Sequence, residues 1–332
     1  MGWIETPAGR VAQISTDLIF ADRIGAWLVR WGIGRLSYIV PAGLYAVGCP
    51  TAKDPVVITA NYKMSYDILR KTLAGRNLWL LVLETYGVNV WCAAGKGTFG
   101  TGELVRSIEA ADLSRVVCHR RLLVPILGAP GIAAYQIREK TGFEVRYATI
   151  RAADLPEYLD NGMMTTPRMR QLTFTLRERI VLIPVEIMLS LKPLVVIGFL
   201  LYIIPTLLGY TAGGIVLSIA FLVAALTGIA ITPALFPWLP GRYFSCKGAV
   251  AGIIVVLAFV YFSADFRHNA WFGLAAFLAL PAVSAFYALN FTGCTPFTSR
   301  SGVKKEMRIA FPLMGAGILA GTILAFVGCF FS

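Results

Sequence analysis

Five long apolar runs in the second half of the sequence constrain the fold more than any other feature. They follow Lys192 and are separated by short polar segments, at 193–209, 213–236, 248–264, 270–290 and 310–331. A helix that crosses a bilayer needs about 20 predominantly apolar residues. Hydrophobic residues make up 57% of the chain, above the roughly 45–50% that is usual in globular proteins. The sequence therefore predicts an all-α membrane domain of five transmembrane helices over 192–332.

The region from 41 to 165 has a different pattern, in which short apolar runs alternate with amphipathic stretches. It predicts a turn at 41–45 and strands at 56–59, 78–84, 115–118, 122–126 and 143–148, with helices between them. Such alternation indicates a mostly parallel sheet with helices on both faces. We therefore expect an α/β Rossmann-like domain, preceded by an N-terminal arm over 1–40. A linker and an interfacial helix should follow over 166–191, because the apolar run at 180–191 is too short to span.

Charged residues between the apolar runs predict how the chain is oriented. The loop after the first span has no charge, and the loop after the third balances Asp265 against Arg267. The basic residues lie in the loops after the second and fourth spans: Arg242, Lys247, Arg300, Lys304, Lys305 and Arg308. Basic loops stay on the cytoplasmic side. We therefore expect a multi-pass protein of the inner (cytoplasmic) membrane, with the α/β domain in the cytoplasm and the C-terminus outside.

The net charge of +12 is explained by this topology. From residue 181 onward the chain has eight Lys and Arg against three Asp and Glu, most of them in short loops. A nucleic-acid groove would instead concentrate basic residues on one face of a soluble domain, so we expect no nucleic-acid partner. Few ionisable residues lie within the spans, which argues against ion transport.

The stretch 89–100, Asn-Val-Trp-Cys-Ala-Ala-Gly-Lys-Gly-Thr-Phe-Gly, is the candidate ligand-binding element. It follows the predicted strand at 78–84 and precedes a predicted helix, which is where α/β sheets bind ligands. We interpret it as a glycine-rich loop. A Walker A phosphate loop is excluded, because Val90 stands where its first glycine belongs and Gly97 replaces its Ser or Thr.

A dinucleotide fingerprint is a second interpretation of the same stretch. Gly95, Gly97 and Gly100 have the G-x-G-x-x-G spacing, but no acidic residue follows about twenty positions later. The next predicted strand ends in the basic sequence 118–121, which would suit a 2′-phosphate. A membrane-bound NAD(P)-binding oxidoreductase therefore remains an alternative.

A third interpretation centres on Cys92. The predicted helix start and Lys96 both favour the thiolate, which is the form that binds metals and acts as a nucleophile. The sequence from Asn89 to Lys96 resembles, nearly residue for residue, the signature of the mercury-methylating corrinoid proteins. It is similar, more loosely, to the corrinoid domain of the corrinoid iron–sulfur protein. The resemblance implies that Cys92 is the lower axial ligand of cobalt and the catalytic residue.

The resemblance also implies which residues surround the corrinoid. Two further segments, 43–63 and 127–131, resemble parts of the same family and follow strands or approach them. The residues expected to contact the cofactor are Thr59, Asn61, Asn89, Val90, Trp91, Cys92, Ala93, Ala94, Gly95, Lys96, Thr98, Gly128 and Ala129. Small residues at these positions would let a broad, flat macrocycle approach the backbone.

The implied activity is transfer of a methyl group from methyl-Co(III) corrinoid to Hg(II), forming methylmercury. The cofactor would carry the chemistry, and the protein would tune its axial ligand. The resemblance further implies a ferredoxin-like electron donor with two 4Fe–4S clusters and a folate-linked methyl donor. Two other classes stay open: a membrane-anchored corrinoid methyl carrier of one-carbon or acetyl-CoA metabolism, and a non-enzymatic scaffold.

The metal-binding residues of the chain are few and scattered. Six cysteines stand at 49, 92, 118, 246, 294 and 329, with no C-x-x-C spacing. We therefore expect no iron–sulfur cluster bound by this chain alone. His119 and His268 are the only histidines, which argues against a multi-histidine metal site.

Overall fold

A seven-stranded mixed sheet forms the first half of the molecule. The structure is a computed structural model and describes residues 2–262 and 270–330. Its strands are β1 (Gly2–Thr6), β2 (Gly9–Ile14), β3 (Gly43–Val47), β4 (Val56–Ala60), β5 (Leu78–Leu83), β6 (Arg121–Val124) and β7 (Glu144–Tyr147). Their order across the sheet is β1-β2-β3-β5-β4-β6-β7. Strands β5, β4, β6 and β7 are parallel to one another, and β3 joins β5 antiparallel.

Helices cover both faces of this sheet. They are α1 (Phe20–Arg30), α2 (Lys63–Thr72), α3 (Val90–Lys96), α4 (Thr101–Ala110), α5 (Leu113–Val116), α6 (Ala134–Thr141) and α7 (Leu155–Asp160). Side chains of α3, α4 and α6 share one apolar core with alternate residues of β4 and β5. Side chains of α2 and α7 share a second core with the other residues of these strands. The predicted α/β sheet with helices on both faces is therefore confirmed.

The position of a ligand crevice follows from the strand order. The two central strands are buried on both faces, with Thr59 as their one polar residue, as parallel strands between helical layers are. From β4 the chain crosses to β5 on one side, then returns to β6 on the other side. Such a reversal opens a crevice beyond the carboxyl ends of β4 and β6, where doubly wound folds bind ligands.

Three local expectations differ from the structure. Residues 2–14 contribute β1 and β2 to the sheet, whereas the sequence predicts an arm over 1–40. The segment 43–47 is a strand, not the end of a turn, because it pairs with both β2 and β5. The segment predicted as a strand at 115–118 instead begins within α5, whose Leu113 and Val116 are buried in the sheet's core.

The second half is helical. Its helices are α8 (Leu176–Ile180), α9 (Ile183–Leu207), α10 (Thr211–Leu226), α11 (Thr232–Ala234), α12 (Phe244–Phe262), α13 (Ala270–Asn290) and α14 (Arg300–Phe330). A π-helical turn at Thr227–Ile231 joins α10 to α11. Among the described residues, five helical stretches are long and apolar enough to cross a membrane: 176–207, 211–234, 244–262, 270–293 and 300–328.

Two features of this half differ from expectation. The interfacial helix predicted before residue 192 and the first span are one helix, α9, which continues through Pro193. Lys247, predicted as a loop charge, is buried in α12 and donates to the carbonyls of Phe236 and Leu239. Backbone carbonyls left free at helix ends attract such cations. The predicted ends of the third and fifth spans, Asp265, Arg267, His268 and the C-terminus lie outside the described residues.

Candidate functional site

The stretch around Cys92 is a short capped helix, not the loop predicted from its glycines. Asn89 is its N-cap, and the side-chain Oδ1 of Asn89 accepts a hydrogen bond from the Cys92 amide at 2.9 Å. Gly97 ends the helix in the left-handed region with φ of 85°. The amide of Thr98 then donates to the carbonyl of Ala93 at 3.0 Å, which completes a glycine C-cap. An asparagine N-cap and a C-terminal glycine are typical helix signals.

Cys92 lies in the first turn of this helix, half-buried, with open space beside it. Gly95 and Lys96 follow at i+3 and i+4, so they share its side of the helix. Both are exposed, and a methyl group built at Gly95 or Gly97 would meet no atom within 4 Å. A flat ligand can therefore approach the α3 backbone next to the Cys92 sulfur, because no side chain covers these two glycines.

Burial raises the pKa of the Cys92 thiol above its ordinary value. The positive charges of Arg35 and Lys96 and a hydrogen bond to Asn89 act in the opposite direction and offset only part of this effect. The expected effect of Lys96, which favours the thiolate, is therefore present, but burial outweighs it. A buried thiol loses hydration that its anion needs, and two cations do not replace it fully.

This pKa shift predicts the pH dependence of thiol alkylation. Because the folded-state pKa is raised, the reactive thiolate is populated only at alkaline pH. We expect the alkylation rate of Cys92 to rise with pH through a midpoint above that of the same cysteine in denaturant. Peptide-level mass spectrometry separates Cys92 from Cys49, Cys118 and Cys246, which are exposed. A midpoint below the denatured value would contradict the burial argument.

Asn61 is a structural support for the loop that precedes α3. Its side chain is fully buried, and its Oδ1 accepts from the amides of Thr85 and Gly87 at 3.2 and 3.1 Å. It also accepts from the Thr85 hydroxyl at 2.9 Å, while its Nδ2 donates to Glu84 at 2.5 Å. These side-chain hydrogen bonds of Asn61 are all to the loop at 84–87, and its contact with a cofactor stays a prediction. Thr59 is a buried residue of β4.

Glu84, Glu103 and Thr101, which the sequence reasoning did not single out, hold the loops around α3. The carboxylate of Glu103 accepts from the Glu84 amide at 3.0 Å, and Glu84 accepts from the Tyr86 amide at 2.8 Å. The hydroxyl of Thr101 accepts from the Ala133 amide at 2.8 Å. In the sequence, Thr101 and Glu103 stand at the start of the predicted helix, where such residues typically bond to free backbone amides.

Arg35 is a further functional candidate that sequence reasoning missed. Its charge acts on the Cys92 thiol, although it is far away in the chain. The neighbouring carbonyl of Leu36 packs on the loop, because a methyl group built at Gly87 would lie 2.6 Å from it. No local pattern in the sequence connects these positions, since the contact arises from tertiary structure alone.

The segment 126–131 forms a 3₁₀ turn at the end of β6 and packs against α3. A methyl group built at Gly128 would lie 2.5 Å from Cε1 of Phe99, and one at Gly131 would collide with the Phe99 carbonyl. These glycines are therefore required by internal packing. Gly128 is buried and Ala129 is half-buried, and their contact with a cofactor stays a prediction.

The dinucleotide alternative does not fit the positions of its three glycines. Gly95 lies within α3, Gly97 ends that helix, and Gly100 is the N-cap of α4. The fingerprint requires its first glycine in the tight turn directly after a strand, whereas β5 ends at Leu83. Within the described parts of the chain, no group of three or more His, Cys, Asp or Glu is placed to hold a metal ion.

Comparison with known proteins finds relatives for the α/β half. Residues 36–159 match the family model described as CO dehydrogenase/acetyl-CoA synthase delta subunit. The acetyl-CoA decarbonylase/synthase complex subunit gamma of Methanopyrus kandleri is 34% identical over 124 residues, 36% of this chain and 26% of that protein. The subunit gamma of Archaeoglobus fulgidus is 31% identical over 130 residues, 39% of this chain and 27% of that protein.

These matches cover only part of this chain and part of each relative. The chain covers about a quarter of the length of these curated relatives. The matched segment contains α3 with Cys92 and the crevice ends of β4 and β6. Arg35 lies just outside it. The names of the relatives refer to acetyl-CoA metabolism, and none refers to mercury. For residues 36–159, the similarity therefore supports the resemblance to corrinoid proteins and favours the acetyl-CoA alternative over mercury methylation.

Proposed function

We propose that this chain is a membrane-anchored corrinoid protein in which the Cys92 sulfur is the lower ligand of cobalt. The observation that supports it best is the setting of the thiol. Cys92 is half-buried at the capped start of α3, beside the open surface over Gly95 and close to the crevice of a doubly wound sheet. When bound, a corrinoid supplies a cobalt atom that carries a methyl group and releases it to an acceptor.

The residues around the thiol prepare it for metal ligation. A metal binds the thiolate, so ligation must release the proton that burial keeps on Cys92. Arg35 and Lys96 place positive charge near the anion that remains. Asn89 fixes the first turn of α3, so the sulfur keeps its direction when its proton leaves. Small residues at Ala93 and Ala94 pack this helix onto the sheet.

The comparisons favour a methyl carrier of one-carbon or acetyl-CoA metabolism as the physiological role. The relatives are subunits of an acetyl-CoA decarbonylase/synthase complex. In this role, we propose that the chain receives methyl groups from a folate-linked donor and passes them to a partner. A ferredoxin-like protein with two 4Fe–4S clusters is the electron donor that we propose for the mercury candidate below, because this chain has no cysteine spacing typical of such a cluster.

Methyl transfer to Hg(II) is the second candidate function, and one specific observation favours it. The eight residues from Asn89 to Lys96, with Trp91 directly before Cys92, have the composition of the mercury-methylating signature. A soft thiolate ligand donates charge to the metal, which suits departure of the methyl group toward a soft electrophile. We therefore propose Hg(II) as the alternative acceptor of the methyl group.

A comparison of the two methyl acceptors tests these assignments. Full-length protein in lipid nanodiscs is loaded with corrinoid carrying a ¹³C-methyl group, then given Hg(II), or given the acetyl-CoA-forming subunits of a relative. If mercury is the acceptor, labelled methylmercury forms with the wild type and not with Cys92→Ala. Labelled acetyl-CoA with no methylmercury would support the carrier role. Failure to retain any corrinoid would refute both.

A further inference from the structure

Exposed apolar side chains of the α/β half are concentrated in one segment. Within residues 19–39, hereafter the 19–39 segment, seven large apolar side chains are exposed: Ile19, Phe20, Ile24, Trp27, Ile33, Leu36 and Ile39. From 41 to 172, a stretch six times as long, only five are exposed: Ile68, Tyr86, Tyr135, Met164 and Leu172. Soluble surfaces rarely gather apolar side chains in this way unless another body covers them.

The 19–39 segment is held firmly, so its exposed side chains do not reflect a frayed end. Asp22 of α1 bonds to Lys63 at 2.5 Å and to Arg70 at 2.6 Å, and both of these side chains belong to α2. At the other end of the segment, the carbonyl of Tyr38 accepts from the Lys63 amide at 2.9 Å. Buried ion pairs therefore fix the inner side of α1, while Phe20 and Ile24 project outward with 77% and 41% exposure.

The outward charge of the 19–39 segment is positive. Arg23, Arg30 and Arg35 are its basic residues, and Asp22 is its only acidic residue. Because Asp22 is buried and paired, it does not neutralise the arginines at the surface. Apolar side chains alternating with arginine are the composition of helices that lie in the interface of an anionic bilayer.

The chain tethers the α/β unit to the first apolar helix. The α/β unit ends at Leu172, and the apolar helix α9 begins at Ile183. Eleven residue steps at ~3.3–3.6 Å each separate these two residues by at most about 40 Å. A bilayer that contains α9 is therefore always within reach of the α/β unit.

We propose that the 19–39 segment lies in the headgroup region of an anionic bilayer, with Phe20 and Ile24 inserted and Arg23 on lipid phosphates. The segment borders the candidate site, because Arg35 acts on the Cys92 thiol and Leu36 packs on Gly87. Lipid contact would then hold the wall of the crevice next to Cys92. If an acidic protein partner or a second copy of this chain covered the segment instead, Phe20 and Ile24 would contact protein and not lipid.

Photo-crosslinking in the full chain tests this proposal independently of corrinoid. Benzoylphenylalanine is placed at Phe20 or Ile24, and, as matched controls, at Ile68 and Tyr135, which are exposed elsewhere on the α/β unit. Each variant is irradiated in nanodiscs of phosphatidylglycerol and phosphatidylcholine, and adducts are identified by mass spectrometry. We expect at least several-fold more lipid adducts at 20 and 24 than at 68 and 135.

The charge of the lipid provides the second comparison. Arg23→Glu, combined with the probe at Phe20, should lower the lipid adducts in anionic nanodiscs and change them little in phosphatidylcholine alone. Equal adduct yields at the probe and control positions would overturn the proposal. Adducts to a second chain, or to an added acidic partner, in place of lipid would also overturn it and identify the occupant.

Discussion

Cys92→Ala is expected to abolish corrinoid-dependent methyl transfer while the α/β half remains folded. The sulfur is the only side chain on the open face of α3 that suits cobalt, since Gly95 lacks one and the amino group of Lys96 is not a soft ligand. The side chain is half-buried and its backbone cap comes from Asn89, so we expect the unfolding free energy to fall by only ~1 kcal/mol. Labelled-methyl transfer and thermal unfolding in nanodiscs measure the two effects.

Two further variants separate ligation from simple loss of a side chain. Cys118→Ala changes an exposed cysteine in the turn before β6 and should leave transfer unchanged. Cys92→His retains a metal ligand but a harder one, so it should keep some bound corrinoid while transfer falls. Wild-type transfer rates in Cys92→Ala would contradict the ligand role.

Asn61→Leu should cause the largest loss of stability among substitutions near the site. Leucine leaves the Thr85 amide and the Gly87 amide without their acceptor in a buried position, whereas the Thr85 hydroxyl still donates to the Val88 carbonyl at 2.8 Å. Each such orphaned group costs roughly 1–3 kcal/mol, so we expect a loss of about 3 kcal/mol or more. Hydrogen exchange should show the loop at 84–88 losing protection first, and Cys92 alkylation should change because α3 follows that loop.

The matched control is Asn77→Ala. The side chain of Asn77 also accepts from a loop amide, that of Cys49 at 2.9 Å, but it lies in an exposed position. Water can replace that bond, so the loss should be small and the Cys92 readout unaffected. An equal effect of the two substitutions would show that Asn61 has no special role beside α3.

Asn61→Asp offers a pH-dependent form of the same test. The acceptor oxygen is kept, but a second carboxylate now faces Glu84, where Nδ2 donated at 2.5 Å. Two carboxylates this close raise the pKa of one of them. Stability should therefore be higher at low pH, where the pair shares a proton, and should fall as the pH rises through that raised value. A pH-independent melting temperature difference from the wild type would contradict this.

The central strands and the helical half were predictable because their signals are local and long. The run at 78–83 has no polar residue and the run at 56–60 has only Thr59, so burial on both faces follows directly. The five apolar stretches exceed any plausible core helix in length. By contrast, β1 and β2 carry charged and polar residues such as Glu5 and Arg10, so only their pairing identifies them as part of the sheet.

The geometry of the site was less predictable, for two physical reasons. Helix α3 has seven residues, too few to show helical periodicity, and Gly95 within it suggested a loop. The Asn89 and Gly97 caps were visible, but each is also common in turns. The sign of the Cys92 pKa shift depends on burial by the folded chain and on Arg35, neither of which local spacing reveals.

X-ray absorption at the cobalt edge of the corrinoid-loaded full chain tests the central claim most directly. The account predicts one sulfur scatterer in the cobalt shell of the wild type, and its replacement by nitrogen or oxygen in Cys92→Ala. Since ligation requires the thiolate, the sulfur signal should also weaken as the pH is lowered. A cobalt shell without sulfur in the wild type, or a sulfur signal that persists in Cys92→Ala, would contradict the account.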